Sequence, residues 1–255
     1  MVYNHFTSGP NGYSDRTYDE EMKKIFAGFQ AQGVNEFVLD LRYNGGGYEN
    51  SANMLAGLLI PEASRKKVFA VFSDNKGQSY SNDFYFCVET KGTAGYLKLN
   101  SNRIYILTSQ STASSSEVVI NSLNPFMDVT LIGELTEGKN VGMEMQKNDK
   151  YEWIYWPITL RVTNAVNDDY SAGFKPDIEW NEYDLTQNPT DALLPLGDPD
   201  EFMLGKAISL ITGINRSARS MNTLSQPIMR GESVYQSTER HATGGMLMVP
   251  EEKNN

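Results

Sequence analysis

Three short apolar runs constrain the architecture of this chain more than any other feature: Phe37-Val38-Leu39, Arg103-Ile104-Tyr105-Ile106-Leu107-Thr108 and Val129-Thr130-Leu131-Ile132. Each is brief and nearly continuous in hydrophobicity, as a strand buried on both faces is. Residues 114–123, between the second and third runs, have helical character. Strand, helix and strand in that rhythm predict a βαβ unit in a largely parallel sheet, and so an α/β fold.

The remaining chain fits around that unit. Residues 1–6 read as a strand, and Gly9-Pro10-Asn11-Gly12 as a turn cluster. Thr17-Tyr18-Asp19-Glu20 has the spacing of a capping box and opens a helix through about Gln32. Met22, Ile25, Phe26 and Phe29 recur on one face of it, and Gly33 follows its end. The first apolar run extends to a strand over 36–41, and a helix over about 49–59 stops before Pro61. Residues 68–73 and 84–89 read as strands, with 74–81 as a polar loop between them.

Beyond Ile132 the pattern changes to alternation. Residues 143–146 and 152–162 flank Asn148-Asp149 and predict a β-hairpin region. Its aromatics Tyr151, Trp153, Tyr155 and Trp156 read as sheet packing that can also wall a groove. An amphipathic helix is expected over 199–211. The core domain should therefore cover 1–213, and the polar stretch 214–255 should be an extended or mobile tail. The start, Met1-Val2-Tyr3-Asn4-His5-Phe6, lacks the basic and apolar regions of a signal peptide and reads like mid-strand. The natural protein is expected to extend upstream of it.

Composition excludes several functions. The formal charge of the 255 residues is −10, the wrong sign for nucleic acid or anionic lipid. No segment is long and apolar enough to cross a bilayer. The single cysteine, Cys87, rules out an intrachain disulfide and reads as a small core hydrophobe in Phe84-Tyr85-Phe86-Cys87-Val88. With only His5 and His241 besides, neither a zinc site nor a Ser-His-Asp triad has its raw material. No metal or cofactor is expected.

Three stretches carry chemistry. Asp40-Leu41-Arg42-Tyr43-Asn44-Gly45-Gly46-Gly47 follows the first apolar run. Thr112-Ala113-Ser114-Ser115-Ser116-Glu117 follows the second, and Gly133-Glu134-Leu135-Thr136-Glu137-Gly138-Lys139 follows the third. A glycine-rich turn offers N–H groups to an oxyanion, a serine at a helix start offers a hydroxyl, and a lysine offers an amine to take its proton. Taken singly, each has a bland reading. Ser114-x-x-Glu117 is a capping box, the glycines form a strand-to-helix turn, and Asp40 with Arg42 makes an ion pair. The third stretch nearly spells a phosphate-binding loop. However, Asn140 stands where Ser or Thr is needed, and Glu134 and Glu137 put negative charge where phosphates would sit.

Taken together, these segments resemble the S41 family of serine peptidases, the C-terminal processing or tail-specific proteases. The family's Asp-Leu-Arg-x-Asn-x-Gly-Gly is matched at 40–47 and its Ser-x-Ser-Glu at 114–117. Its Gly-x-x-Thr-x-Gly-Lys is matched at 133–139, and Gly-x-x-Pro-Asp at 173–177. The separation of 25 between Ser114 and Lys139 also agrees. The resemblance, over roughly 1–211, implies a ClpP/crotonase-like core and peptide-bond hydrolysis by a Ser–Lys dyad. Ser114 would be the nucleophile and Lys139 the base. The oxyanion hole would come from the 45–47 turn, Gly46 or Gly47, together with Ser115. Protein or peptide substrates and a cell-envelope or periplasmic setting in a bacterium are implied too.

Two departures stand out. Many members carry Gly just after the lysine and Gln four residues after it, where this chain has Asn140 and Met143. That leaves Glu117 as the candidate to orient the lysine. The upstream PDZ module of many members has no counterpart in this chain. The alternative expectation is a catalytically weak peptide- or ligand-binding member of the same fold. Oligomeric state is not legible.

Overall fold

The computed structural model describes residues 1–84, 99, 102–148, 150, 153–184, 194–214 and 246–248. In chain order the elements are α1 (Thr17–Ala31), β1 (Val38–Asp40), α2 (Glu49–Leu59), β2 (Val68–Asp74), β3 (Ser79–Asp83), β4 (Arg103–Thr108), α3 (Ser115–Leu123) and β5 (Asp128–Gly133). Then follow β6 (Val141–Glu144), β7 (Gln146–Asn148), β8 (Trp153–Tyr155), β9 (Ile158–Thr163), β10 (Ile178–Glu179), α4 (Phe202–Thr212) and β11 (Met246–Met248).

One sheet has the order β1-β4-β5-β10 and every pairing in it is parallel. The three apolar runs of the sequence are its first three strands, and β4, α3 and β5 form the expected βαβ unit. Side chains alternate across a strand. Ile104 and Ile106 accordingly face the main core with Leu39, Leu55, Leu58, Val118 and Ile120. Tyr105 and Leu107 face a smaller cluster with Ile132, Met203 and Ala207, which α4 closes. Both faces of the sheet are thus covered, which is why its strands read as unbroken hydrophobic runs.

The second sheet has the order β11-β6-β9-β2-β3. Here the sequence reading needs correction. The segment 74–81 is a turn at Asp74 to Gly77 followed by β3, which pairs antiparallel with β2 from Ser79 onward. Its run Ser-Tyr-Ser-Asn-Asp is polar because β3 is an edge strand, largely exposed. Of the strand expected over 84–89, all but Phe84 lies outside the described residues, Cys87 included.

The hairpin region is two-tiered. β6 pairs with β9, and β7 with β8 forms a separate ribbon. Among the described residues no second layer lies over that ribbon at Trp153, 71% exposed, or Tyr155, 53% exposed, so these two are not core sheet packing, whereas Trp156 is half-buried and Tyr151 lies outside the described residues. Residues 1–6 make two isolated parallel bridges, Val2 to Asp40 and Phe6 to Gly47, where a strand was expected. The first helix is capped differently from the expected box. Thr17 stands inside α1 and Asp15 accepts its N–H. α4 starts at Phe202, not Pro199, because the Glu201 carboxylate accepts the Met203 and Leu204 N–H groups. No helix among the described residues is long and apolar enough to cross a membrane.

Candidate active site

Parallel pairing puts the carboxyl ends of β1, β4 and β5 side by side, so the three motif loops leave the sheet at one edge. That edge is where open α/β sheets place their ligands. Hydroxyls stitch the loops together. Thr112 Oγ1 donates to Leu41 O at 2.9 Å, Ser116 Oγ to Asn44 O at 2.8 Å and Ser115 Oγ to Gly47 O at 2.8 Å. Asn44 is the hub, which sequence reading did not single out. Its carbonyl also accepts the Ala113 N–H at 3.1 Å, its amide donates to Tyr3 O at 2.8 Å, and its Oδ1 takes the Gly46 N–H at 2.9 Å.

Against this background Ser114 differs from its neighbours. It is fully buried, yet its Oγ has no hydrogen-bond partner among the described residues. Its backbone sits at φ 57°, ψ −116°, outside the extended region usual for a helix N-cap. A non-glycine residue held there stores strain, a frequent mark of a functional position. Gly46 lies directly against it. A Cβ on Gly46 would fall 2.9 Å from Ser114 Cβ and 3.1 Å from Ser115 N, and its φ of +111° favours glycine in any case. Ser115 N–H is the first of α3, where helix N–H groups lack intrahelical partners and the dipole is positive.

Glu117, one turn into α3, holds the other half of the site. Its Oε2 accepts Ser114 N–H at 2.9 Å and Lys139 N–H at 2.8 Å. Its Oε1 accepts Thr136 Oγ1–H and Gly138 N–H, both at 2.6 Å. One buried carboxylate therefore ties the serine's backbone to the lysine's. Burial pushes Glu117 above the usual carboxylate range, and these four donors oppose the rise. Burial likewise pushes the Lys139 ammonium below its ordinary value, against the smaller opposing pull of Glu137 and Glu117. The segment after Lys139 runs as β6, whereas a phosphate-binding loop leads into a helix.

Further contacts brace the lysine loop and the strand before it. Gly138 is pressed onto the 171–173 backbone: a Cβ there would meet Ser171 O at 2.6 Å. Asp177, the end of the fourth motif, accepts the Leu131 N–H at 2.8 Å. Asn140 donates to Asp169, which also pairs with Arg161 at 2.6 Å.

Below the glycine turn, Arg42 is buried among three carboxylates. It forks onto Asp40 at 3.0 and 2.7 Å and reaches Glu182 at 2.6 Å and Glu201 at 3.1 Å. The ion pair of Asp40 and Arg42 was legible in sequence. Glu182 and Glu201, from distant segments, were not. They anchor the root of the turn to the segment after β10 and to the cap of α4.

Comparison with known proteins bears on the family and the fold. The profile of peptidase family S41 matches residues 3–180. A carboxyl-terminal-processing protease of Synechocystis is 25% identical over 184 residues, 72% of this chain and 38% of that protein. The carboxy-terminal processing protease CtpA of Bacillus subtilis is 24% identical over 185 residues, 72% of this chain and 36% of that protein. Among solved structures, a Bacteroides fragilis protein assigned to the S41 proteases superposes with a TM-score of 0.72 at 32% identity, over 83% of this chain and 54% of that one. The photosystem II D1 C-terminal processing protease shares the fold, with a TM-score of 0.53 at 22% identity over 72% of this chain and 42% of that one. The core is of the ClpP/crotonase-like class. The chain spans well under half the length of the two curated relatives.

Proposed function

The chain belongs to peptidase family S41, and from that premise we propose that it is a serine endopeptidase in which Ser114 is the nucleophile and Lys139 the general base. One observation carries the assignment. Among the clustered hydroxyls of Thr112, Ser114, Ser115 and Ser116, three donate to the 41–47 backbone, and only the Ser114 Oγ donates to no described residue.

In this reading neutral Lys139 accepts the Ser114 proton as Oγ bonds to the substrate carbonyl carbon. The oxyanion so formed takes hydrogen bonds from Ser115 N–H and from an N–H of the 45–47 turn. Gly46 already donates to Asn44, so its first contribution is the space it leaves beside Ser114. The tetrahedral species collapses, the C–N bond breaks, and Lys139 returns its proton to the leaving amine. Water then hydrolyses the acyl-enzyme by the same proton path. Glu117 touches no reacting atom and is a positioning residue. Burial of Lys139 supplies the lowered pKa that a lysine base needs.

The substrates are protein chains with flexible carboxyl-terminal tails, a class suggested by the names of the curated relatives. A fluorophosphonate should label the wild type at Ser114. Ser114→Ala should lose both label and turnover while melting within a few degrees of the parent. Lys139→Arg should also be inactive, since arginine does not give up its proton at accessible pH. Unchanged labelling of Ser114→Ala would move the nucleophile elsewhere.

A further inference from the structure

β6 begins two residues after Lys139, and its outer edge is occupied. β9 pairs with one side of it and β11 with the other. β11 is Met246-Leu247-Met248, within the stretch 214–255 where an extended or mobile tail is expected. It lies parallel to β6, with Met246 opposite Gly142, Leu247 opposite Met143 and Met248 opposite Glu144. Its backbone also reaches α2, the helix that begins two residues after Gly47. A short strand from far along the chain thus touches both the strand that follows the lysine and the helix that follows the glycine turn.

We propose that the outer edge of β6 is the seat for the carboxyl-side residues of a peptide substrate, and that residues 246–248 fill this seat in cis as an internal competitor. The proposal rests on the Ser114 and Lys139 reading above and adds to it where the substrate lies and what keeps it out. The polarity fits. β6 runs away from Lys139, and β11 runs with it. A peptide seated in β11's direction therefore has its amino side at the Lys139 end and its carboxyl side leading outward. Its scissile bond then precedes the seated strand, and the seated residues are the fragment released, as trimming of a carboxyl-terminal tail requires.

The chemistry fits as well. Ladder hydrogen bonds to a sheet edge recognise main chain and tolerate sequence. The resident strand, Met246-Leu247-Met248, is uncharged and apolar in sequence, and so are the flanking Gly244-Gly245 and Val249 of the sequence. The occupant to which the seat is suited is therefore the extended, uncharged apolar tail of a protein. Among the described residues β11 has three paired residues, and it lies at the sheet margin, where pairing is most readily exchanged.

The test uses the full chain. Leu247→Pro and Met248→Pro each remove one backbone N–H, and because N–H groups alternate across a strand, one of the two is a donor to β6. The probe is a fluorescent peptide of residues 243–252. Its affinity is read by anisotropy in a Ser114→Ala background, so binding is measured whether or not the chain cleaves anything. An edge that is free one-tenth of the time binds an outside peptide about tenfold more weakly than a free one. At least one proline variant should therefore bind the peptide about tenfold more tightly than the parent. In the active chain the same variant should lower KM for a protein with a disordered apolar C-terminal extension, and the peptide should inhibit competitively. Equal affinity in the parent and both variants would overturn the proposal. So would loss of peptide binding together with a large fall in melting temperature in both, which would make β11 a permanent strand of the sheet. Tighter peptide binding without turnover in any active-site-intact variant would sustain the seat and instead reject the peptidase reading.

Discussion

Replacing Glu117 with glutamine tests the site at the carboxylate that joins its two halves. Glutamine keeps the length of the side chain and one carbonyl oxygen. The least costly orientation leaves that oxygen on the Ser114 and Lys139 N–H groups, which share Oε2 in the native protein. The amide NH₂ then faces Thr136 and Gly138. The threonine hydroxyl can turn to accept, but the Gly138 N–H, now 2.6 Å from a carboxylate oxygen, loses its acceptor. One buried N–H left unpaired costs about 1–3 kcal/mol. At about 2–4 °C per kcal/mol for a chain of this size, the melting temperature should fall by roughly 2–12 °C. Glu117→Ala removes the acceptor of three backbone N–H groups at once and should cost roughly three times as much before any relaxation or water entry.

The pH profile carries the sharper prediction. The Glu117 charge holds the Lys139 pKa up against the stronger, lowering effect of burial. Removing that charge lets the lysine deprotonate at lower pH. In a plot of kcat/KM against pH with an unstructured peptide substrate, the rising limb of Glu117→Gln should move to lower pH, even though maximal turnover falls. A limb that moves to higher pH, or stays in place while the melting temperature drops as expected, would refute the coupling between Glu117 and the base.

Gly46→Ala should lower kcat far more than it raises KM. Its Cβ would press on Ser114 Cβ at 2.9 Å, and the turn sits at positive φ. Wild-type turnover would remove the turn from the mechanism. Ser115→Ala and Ser116→Ala should retain the fluorophosphonate label while losing about 1 kcal/mol each in chemical denaturation, because each hydroxyl bonds a backbone carbonyl. Loss of label at unchanged stability in either would contradict the assignment of Ser114. Glu49 is fully buried on α2 beside Asn82, and burial pushes its carboxyl up from the ordinary 4.5 to about 7. The fold keeps a proton that the unfolded chain releases between those values, so this group's contribution to stability falls as pH rises through that window and levels off above it. Glu49→Gln should flatten the dependence of melting temperature on pH between about 4.5 and 7, and an unchanged slope would show the dependence arises elsewhere.

The sequence by itself determined the parallel core. Continuous apolar runs are what strands covered on both faces require, and helical periodicity between two such runs leaves little choice but a crossover. It also carried the family motifs, since Asp40-Leu41-Arg42, Ser114-Ser115-Ser116-Glu117 and Gly138-Lys139 are local strings. Polar edges were not legible. β3 was read as a loop because an edge strand buries little and shows no hydrophobic pattern. The aromatics of β8 were read as packing because strand propensity does not reveal whether a second layer will lie above them.

Only the tertiary structure decided which of three adjacent serines donates its hydroxyl to no described residue, because that depends on carbonyls presented by another loop. Only it brought Glu182 and Glu201 to Arg42, residues whose partner lies across the fold. And only it could seat β11 against β6, because a three-residue strand has too short a pattern to declare its partner, and an exposed ladder edge accepts any extended backbone that reaches it.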